Sequence, residues 1–455
     1  MSSSRRSFLK KSSAGVAAAS VPLFWRKRGH AAQSANDRKT VASVGVGGSR
    51  GRYSRGGSVA RQASKLGQTI AVCDVDSLHN DEFNSDFKNE LHTYTDYREM
   101  LEKDSPDVVT IGTPDHWHVP IAIAALKSGA DVYCEKPLTL TIDEGIQICK
   151  VVKETGKVFQ VGTQQRSENS RMFLKAVAMV HEGVIGDNVT AHVAIGGAPK
   201  GGPFEITKAP DNLDWDMWLG PAQEAGYCED RRRMFRWFLE YSGGKMTDWG
   251  AHHIDIATWA LGKHKTGPVK VSGTGQLPPS VPENFDFSKY FAGEASLPNC
   301  FNAAMNFKLE LEYKDGLKMT VQDKYRSADG KTEFPNGILF EGSKGRFFVN
   351  RGKLTGAPIE SLSEADQKRI DDKVVEIYGG EPTGHMQNFF NCIDSRKDPV
   401  SDVYSHHRTM TSAHLCNIAL MLGRDLKWDP VAEDFIGDEQ ATALKTRAQR
   451  PGYTS

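Results

Sequence analysis

Few of the features that staple, anchor or tether a chain are present. The seven cysteines (Cys73, Cys134, Cys149, Cys228, Cys300, Cys392 and Cys416) are odd in number and scattered. They form neither a CxxC pair nor a Cys/His ligand spacing, which argues against a disulfide framework and against a bound metal. No apolar run reaches the roughly 18 residues that a bilayer span needs, so no stable membrane anchor is expected. Charge of one sign is also missing: Lys+Arg and Asp+Glu both number 57. Residues 1–32 hold seven of those bases and no acid. The rest of the chain is therefore net negative and offers no basic footprint for nucleic acid. Internal repeats are absent, as are low-complexity tracts beyond the N-terminal segment. What remains is a chain of 455 residues, enough for two or three domains with sizeable cores.

Ser4-Arg5-Arg6-Ser7-Phe8-Leu9-Lys10 precedes a mildly apolar stretch from Ala14 to Trp25, then Arg26-Lys27-Arg28 and the small residues Gly29, Ala31 and Ala32. This resembles a bacterial twin-arginine signal, so residues 1–37 are read as a signal peptide. The expected location is periplasmic or extracellular. That route carries proteins already folded, often with a cofactor inside.

From Thr40 to about Gln164, short β-branched runs alternate with helical patterns. The runs are Thr40–Gly45, Thr69–Asp74, Asp107–Gly112, Asp131–Cys134 and Val158–Thr163. Alternation of this kind predicts an α/β architecture with a doubly wound parallel sheet, a Rossmann domain over residues 38–164. The second half changes character. Val269–Gly275, Ala303–Tyr313 and Leu317–Asp323 alternate with period two, Tyr313-Lys314-Asp315-Gly316-Leu317 reads as a hairpin turn, and Gly337–Asn350 supplies another strand pair. Residues 165–455 are thus expected to form an α+β domain on a large, mainly antiparallel open sheet. Its last helices, about Thr383–Ser395 and His406–Leu422, are able to pack back on the first domain.

The first run leads into Gly45-Val46-Gly47-Gly48-Ser49-Arg50-Gly51. Glycines here let the backbone approach a pyrophosphate, and the following helix N-terminus offers N–H groups to the anion. The spacing is irregular, because a strict GxGxxG would need Gly where Arg50 stands. Asp74 ends the second run 23 residues after Gly51, where a carboxylate can accept from a ribose diol. Gly45, Gly47, Gly48, Ser49, Arg50, Gly51 and Asp74 are the resulting dinucleotide set. Asp74 favours NAD over NADP, although Arg50 or Arg52 could offset its repulsion of a 2′-phosphate.

Three further segments carry chemistry. Thr113-Pro114-Asp115-His116-Trp117-His118 and Glu135-Lys136-Pro137 follow parallel strands, whose C-terminal ends face the ligand crevice. Asp248-Trp249-Gly250-Ala251-His252-His253-Ile254-Asp255 opens a helical stretch. Together these segments resemble the glucose-fructose oxidoreductase / inositol dehydrogenase / MocA (Gfo/Idh/MocA) family over essentially the whole chain after residue 37. The resemblance implies a nicotinamide-dependent oxidoreductase acting on a secondary alcohol of a sugar or polyol, with Lys136, Asp248 and His252 as the catalytic set. The physics of the residues agrees. Asp248 and His252, four apart, share a helix face; imidazole suits removal of a hydroxyl proton, and Lys136 can stabilise a developing alkoxide. Each also has a plainer reading: Asp248 as a helix cap, His252 as a core histidine, Lys136 as a surface lysine. Asp248, His252, His253 and Asp255 could be mistaken for a metal site, but no second ligand set supports one.

Thr113, Pro114, His118, Glu135, Lys136 and Gln164 complete the expected cofactor contacts. Gln165, Arg166, Trp237 and His253 are the expected substrate contacts, Trp237 because aromatic faces suit the C–H faces of sugars. Export implies a cofactor loaded beforehand and held tightly. Two rival readings share the fold: a redox-neutral lyase or glycosidase using transient oxidation, and a silent carbohydrate-binding protein. The open sheet face needs a cover, which in the family is usually a second subunit, so a homo-oligomer is expected.

Overall fold

β1 (Thr40–Val44) is buried beyond its first residue because parallel strands pair with it on both sides. The computed structural model describes residues 38–48 and 54–453. Residues 1–37, where a signal peptide is expected, and Ser49, Arg50 and Gly51 of the glycine turn lie outside the described residues. β2 (Gln68–Cys73), β3 (His92–Tyr94), β4 (Val108–Ile111), β5 (Asp131–Cys134) and β6 (Phe159–Val161) complete a six-stranded parallel sheet in the order β3-β2-β1-β4-β5-β6. β4 and β5 are buried at every residue, as expected of strands covered on both faces. The strand order reverses between β1 and β4, and this opens a crevice at their C-terminal ends. β3 was not anticipated. It is a three-residue edge strand with no apolar alternation, held by pairing with β2 and by side-chain contacts, Asn80 Nδ2 donating to Tyr94 O at 2.9 Å and His92 meeting Asp104 at 2.7 Å.

The second sheet joins β7 (Thr190–Ala194), β8 (Lys270–Gln276), β9 (Asn306–Glu312) and β10 (Lys318–Gln322). A small hairpin of β11 (Tyr325–Arg326) and β12 (Glu333–Phe334) stands apart. β13 (Gly337–Gly342), β14 (Gly345–Val349), β15 (Leu354–Thr355), β16 (Leu426–Asp429) and β17 (Asp434–Phe435) complete nine strands in the order β15-β14-β13-β7-β10-β9-β8-β16-β17. All pairs are antiparallel except β7 with β10. Register places Leu309, Val321, Val193, Ile338 and Val349 in one buried row across five strands. The helices Gly250–Ala260 and Val403–Leu422 pack together against this sheet.

Two connections tie the halves together. Met386, Phe389, Phe390 and Ile393 of the helix His385–Ser395 share a core with Val41, Val108 and Tyr133 of the parallel sheet. A strap at 204–236 crosses the mouth of the crevice. There Ser77 N donates to Asn212 O (2.9 Å), Asp214 N donates to Val75 O (2.9 Å), and Arg232 pairs with Asp76 at 2.5 Å.

Candidate active site

The crevice between the halves contains two adjoining cavities, and Arg55, Gly112, Thr113 and Arg236 line both. The larger, about 360 Å³, runs from the glycine turn past Asp74 and beneath the strap. Gly45 (φ +74°) begins the turn, and a Cβ there would lie 2.6 Å from Thr113 Cγ2. The close helix-to-strand approach falls at Gly56, where a Cβ would lie 1.8 Å from Gly45 O. Sequence reasoning sought that third glycine near position 51. Asp74 ends β2, with Oδ2 accepting from Gly47 N (2.9 Å) and Oδ1 from Asp76 N (3.0 Å) and from His79 Nδ1 (3.3 Å). Burial works against a charged His79, but Asp74 and Asp76 outweigh it and push this imidazole above its usual range. Thr113 Oγ1 is buried with no protein partner among the described residues. A bare glycine cradle, a carboxylate at the end of β2 and the orphaned hydroxyl of Thr113, a residue that lines the same crevice, fit a dinucleotide.

The smaller cavity, about 300 Å³, is lined by Lys136, Asp248 and His252. Lys136 Nζ donates to Asp248 Oδ1 at 2.5 Å and to Asp248 O at 3.0 Å. Burial would raise the Asp248 carboxyl, but Lys136, Arg236 (3.3 Å) and Lys245 (3.9 Å) hold it well below the usual carboxylate range. Asp248 closes the short helix Gly244–Asp248, and one turn later His252 stands on the helix Gly250–Ala260, so both reach the same space. Burial, then the charges of Lys136 and Arg351, push His252 well below its ordinary range and keep it neutral. Its Nδ1 is buried without a partner, which leaves Nε2 to face the cavity. Glu135 Oε1 accepts from Arg55 Nε (2.9 Å) and from Gln164 Nε2 (2.8 Å). Asp115 also lines the space; burial lifts its carboxyl to about 6, and its Oδ2 accepts from Ser242 Oγ at 2.5 Å.

Several expected contacts fall elsewhere. His118 lines neither cavity: its Nδ1 lies 2.8 Å from Pro137 O and its Nε2 2.9 Å from Thr113 O. It clamps the two chemistry-bearing loops together and does not touch the cofactor space. Arg166 is an interior ion pair, bonded to Asp255 at 2.7 and 2.6 Å and to Val400 O at 2.8 Å, with no group left for substrate. His253 is fully buried, 3.0 Å from Asn336 Oδ1 and packed on Trp249. Trp237 turns away, and its neighbour Arg236 lines the cavity instead. Gln165 lies behind the wall; with its amide oriented so that the nitrogen donates to His252 O (3.1 Å), its oxygen accepts from Arg351 Nε (3.2 Å). Arg55, Arg351, Glu168 and Trp249 line the cavity without having been singled out. Only Arg55 left a trace, as a base opening the helix after the glycine turn.

A family model described as an oxidoreductase family with an NAD-binding Rossmann fold (Gfo/Idh/MocA) matches residues 39–163, and the model of that family's C-terminal alpha/beta domain matches 201–279 and 299–455. The chain is 29% identical over 179 residues to a scyllo-inositol 2-dehydrogenase (NAD(+)) of Bacillus subtilis, covering 39% of this chain and 41% of that protein. It is 36% identical over 91 residues to a glycosyl hydrolase family 109 protein of Shewanella sp. (strain ANA-3), covering 20% of this chain and 19% of that one. The matches thus span less than half the length of either relative. Among solved structures it resembles scyllo-inositol dehydrogenase from Lactobacillus casei with bound NAD(H) and scyllo-inositol. That likeness has a TM-score of 0.54 and 17% identity, covers 86% of this chain and 99% of the other, and is one of fold.

Proposed function

Because this chain belongs to the Gfo/Idh/MocA oxidoreductase family and carries its NAD-binding Rossmann domain, we propose that it oxidises a secondary alcohol of a sugar, cyclic polyol or glycoside with NAD. The observation that carries this reading is the adjacency of the two cavities. Gly112 and Thr113 form a shared wall between the dinucleotide cleft and the space holding Lys136 and His252. A nicotinamide bound there supplies the hydride acceptor. Asp248 fixes the Lys136 ammonium, which can donate to the substrate oxygen and stabilise negative charge as it develops. His252, kept neutral, can accept the hydroxyl proton at Nε2.

Tight retention of the cofactor is part of the proposal, supported by the strap pinned to Asp76 and by the twin-arginine pattern at Arg5-Arg6. Arg5→Lys with Arg6→Lys should hold the protein in the cytoplasm on cell fractionation; export of that variant would remove the export reading. Homo-oligomerisation through the nine-stranded sheet is proposed as well, and a monomer in light scattering at micromolar concentration would remove it. A second reading, redox-neutral cleavage through transient oxidation, draws on the same strap and on the likeness to a glycosyl hydrolase family 109 protein. Incubation with a sugar and glycoside panel, following NADH absorbance and product masses, separates these. Net NADH supports dehydrogenation, cleavage without NADH supports the second reading, and neither product nor NADH points to a silent binding protein.

A further inference from the structure

Resting on the reading that this cavity receives the substrate alcohol, we propose that the substrate is an acidic sugar, a hexuronate or its glycoside, whose carboxylate is gripped by Arg351. Arg351 stands in the turn between β14 and β15. Asn350 Oδ1 closes that turn by accepting from Gly352 N and Lys353 N, both at 2.9 Å, so the turn does not depend on the arginine side chain. The guanidinium itself is held in place. It lies 4.7 Å from the centre of the Trp249 ring, and its Nε donates to the Gln165 amide that also binds His252 O. Its terminal nitrogens are left for a ligand.

Charge pairing isolates this residue. Arg55 meets Glu135 at 2.9 Å, while Lys136 and Arg236 share Asp248 at 2.5 and 3.3 Å. Arg351 forms no ion pair with a carboxylate among the described residues. Glu168, Glu135 and Asp248 attract it only from a distance, and burial together with repulsion from Arg55 pushes the guanidinium below its usual range. A partly desolvated cation without a counter-ion in a substrate cavity is stabilised by an anion that arrives with the substrate. Glu168 lines the same cavity without an ion pair of its own among the described residues, but Arg351 presents a planar fork, and that fork suits a carboxylate. The Gln165 bridge ties Arg351 to the helix carrying His252. Arg351 and His252 line the same cavity, so one small molecule can present a carboxylate to the first and a hydroxyl to the second.

The test is calorimetric titration of the purified holoprotein with D-glucuronate, D-galacturonate, the corresponding neutral hexoses and glucose 6-phosphate, comparing the parent with Arg351→Gln and Arg351→Lys. A charge-assisted bidentate contact corresponds to roughly 10- to 100-fold in affinity. The parent should bind a uronate tighter than its hexose by that factor. Arg351→Gln should lose the preference, and Arg351→Lys should recover part of it, because charge returns without the fork. Equal affinity for uronate and hexose, no measurable uronate binding, unchanged uronate affinity in Arg351→Gln, or tighter binding of the sugar phosphate would each overturn the proposal. Cofactor absorbance is read in the same samples. If no sugar reduces the cofactor, the dehydrogenase reading fails, and the affinities still decide the role of Arg351.

Discussion

In the proposed reaction Lys136 and His252 serve the chemistry, whereas Arg166, which looks equally available in the sequence, is held in an interior ion pair with Asp255. Lys136→Ala and His252→Ala are each expected to lower turnover by about 10²-fold or more while nucleotide content stays near that of the parent. Turnover at the parent rate in either variant would remove that residue from the mechanism. Arg166→Ala should instead strand Asp255, which is 0% exposed, and cost about 3–5 kcal/mol of stability in urea unfolding, with KM unchanged if the protein is assayed folded. A raised KM with unchanged stability would restore Arg166 to the substrate site. The sequence makes Lys136 legible because it follows a strand in Glu-Lys-Pro, and makes Asp248 and His252 legible because they stand one turn apart. Arg55, Arg236 and Arg351 come from three separate elements, and no spacing rule brings them together. Arg166 was misjudged because its partner Asp255 lies 89 positions away, and nothing local reveals that a guanidinium is already taken.

At the level of elements, burial decides what can be read. β4 and β5 are short apolar runs bounded by turn residues, and the parallel sheet follows from their alternation with helices. The hairpin turn at Tyr313–Leu317 forms where expected, with Gly316 N donating to Tyr313 O at 2.8 Å. β3 and the strap had no such pattern, since both depend on partners supplied by distant chain. The strap yields its own prediction. Arg232 holds it to Asp76, whose carboxyl is raised by burial but lowered further by Arg232 and Asn212. Arg232→Ala should leave the melting temperature within a few degrees but speed the loss of nucleotide on repeated desalting, because affinity changes appear chiefly in the off-rate. Retention equal to the parent's would mean that the strap does not hold the cofactor.

Across the whole molecule, buried imidazoles set the response to acid. His116, His406 and His414 are pushed down to about 3, and His253 and His385 to about 4, in each case chiefly by burial. Below about pH 6.5 the unfolded chain binds protons that the folded protein refuses, so stability falls as pH drops through 6.5 toward 4. Asp115, raised to about 6, and Glu144, raised to about 7, act oppositely, because the folded state holds their protons up to higher pH than the unfolded chain does. These five imidazoles, joined by His264, which burial also pushes down to about 4, outweigh the two carboxyls, and the urea midpoint should decrease between pH 7 and pH 5; a flat or rising midpoint would contradict this. The outer face of the nine-stranded sheet is polar at Lys308, Lys318, Glu341 and Arg346, with a Lys318–Glu310 pair at 2.6 Å, while its apolar residues Ala194, Leu339 and Phe348 cluster with Tyr325 and Phe334 of the β11–β12 hairpin. That hairpin covers the apolar part of the face, so the proposed oligomer would be held there largely by charge and hydrogen bonding. The central claim is that the dinucleotide cleft and the Lys136–Asp248–His252 cavity form one hydride-transfer site. Its most direct test is to purify the protein without added nucleotide, desalt it, and follow nicotinamide absorbance on adding the uronate and hexose panel to the parent and to Lys136→Ala. The account predicts near-stoichiometric nucleotide in both, prompt reduction in the parent and reduction slowed about 10²-fold or more in the variant. Bound nucleotide that no sugar reduces, or equal rates in the two proteins, would contradict it.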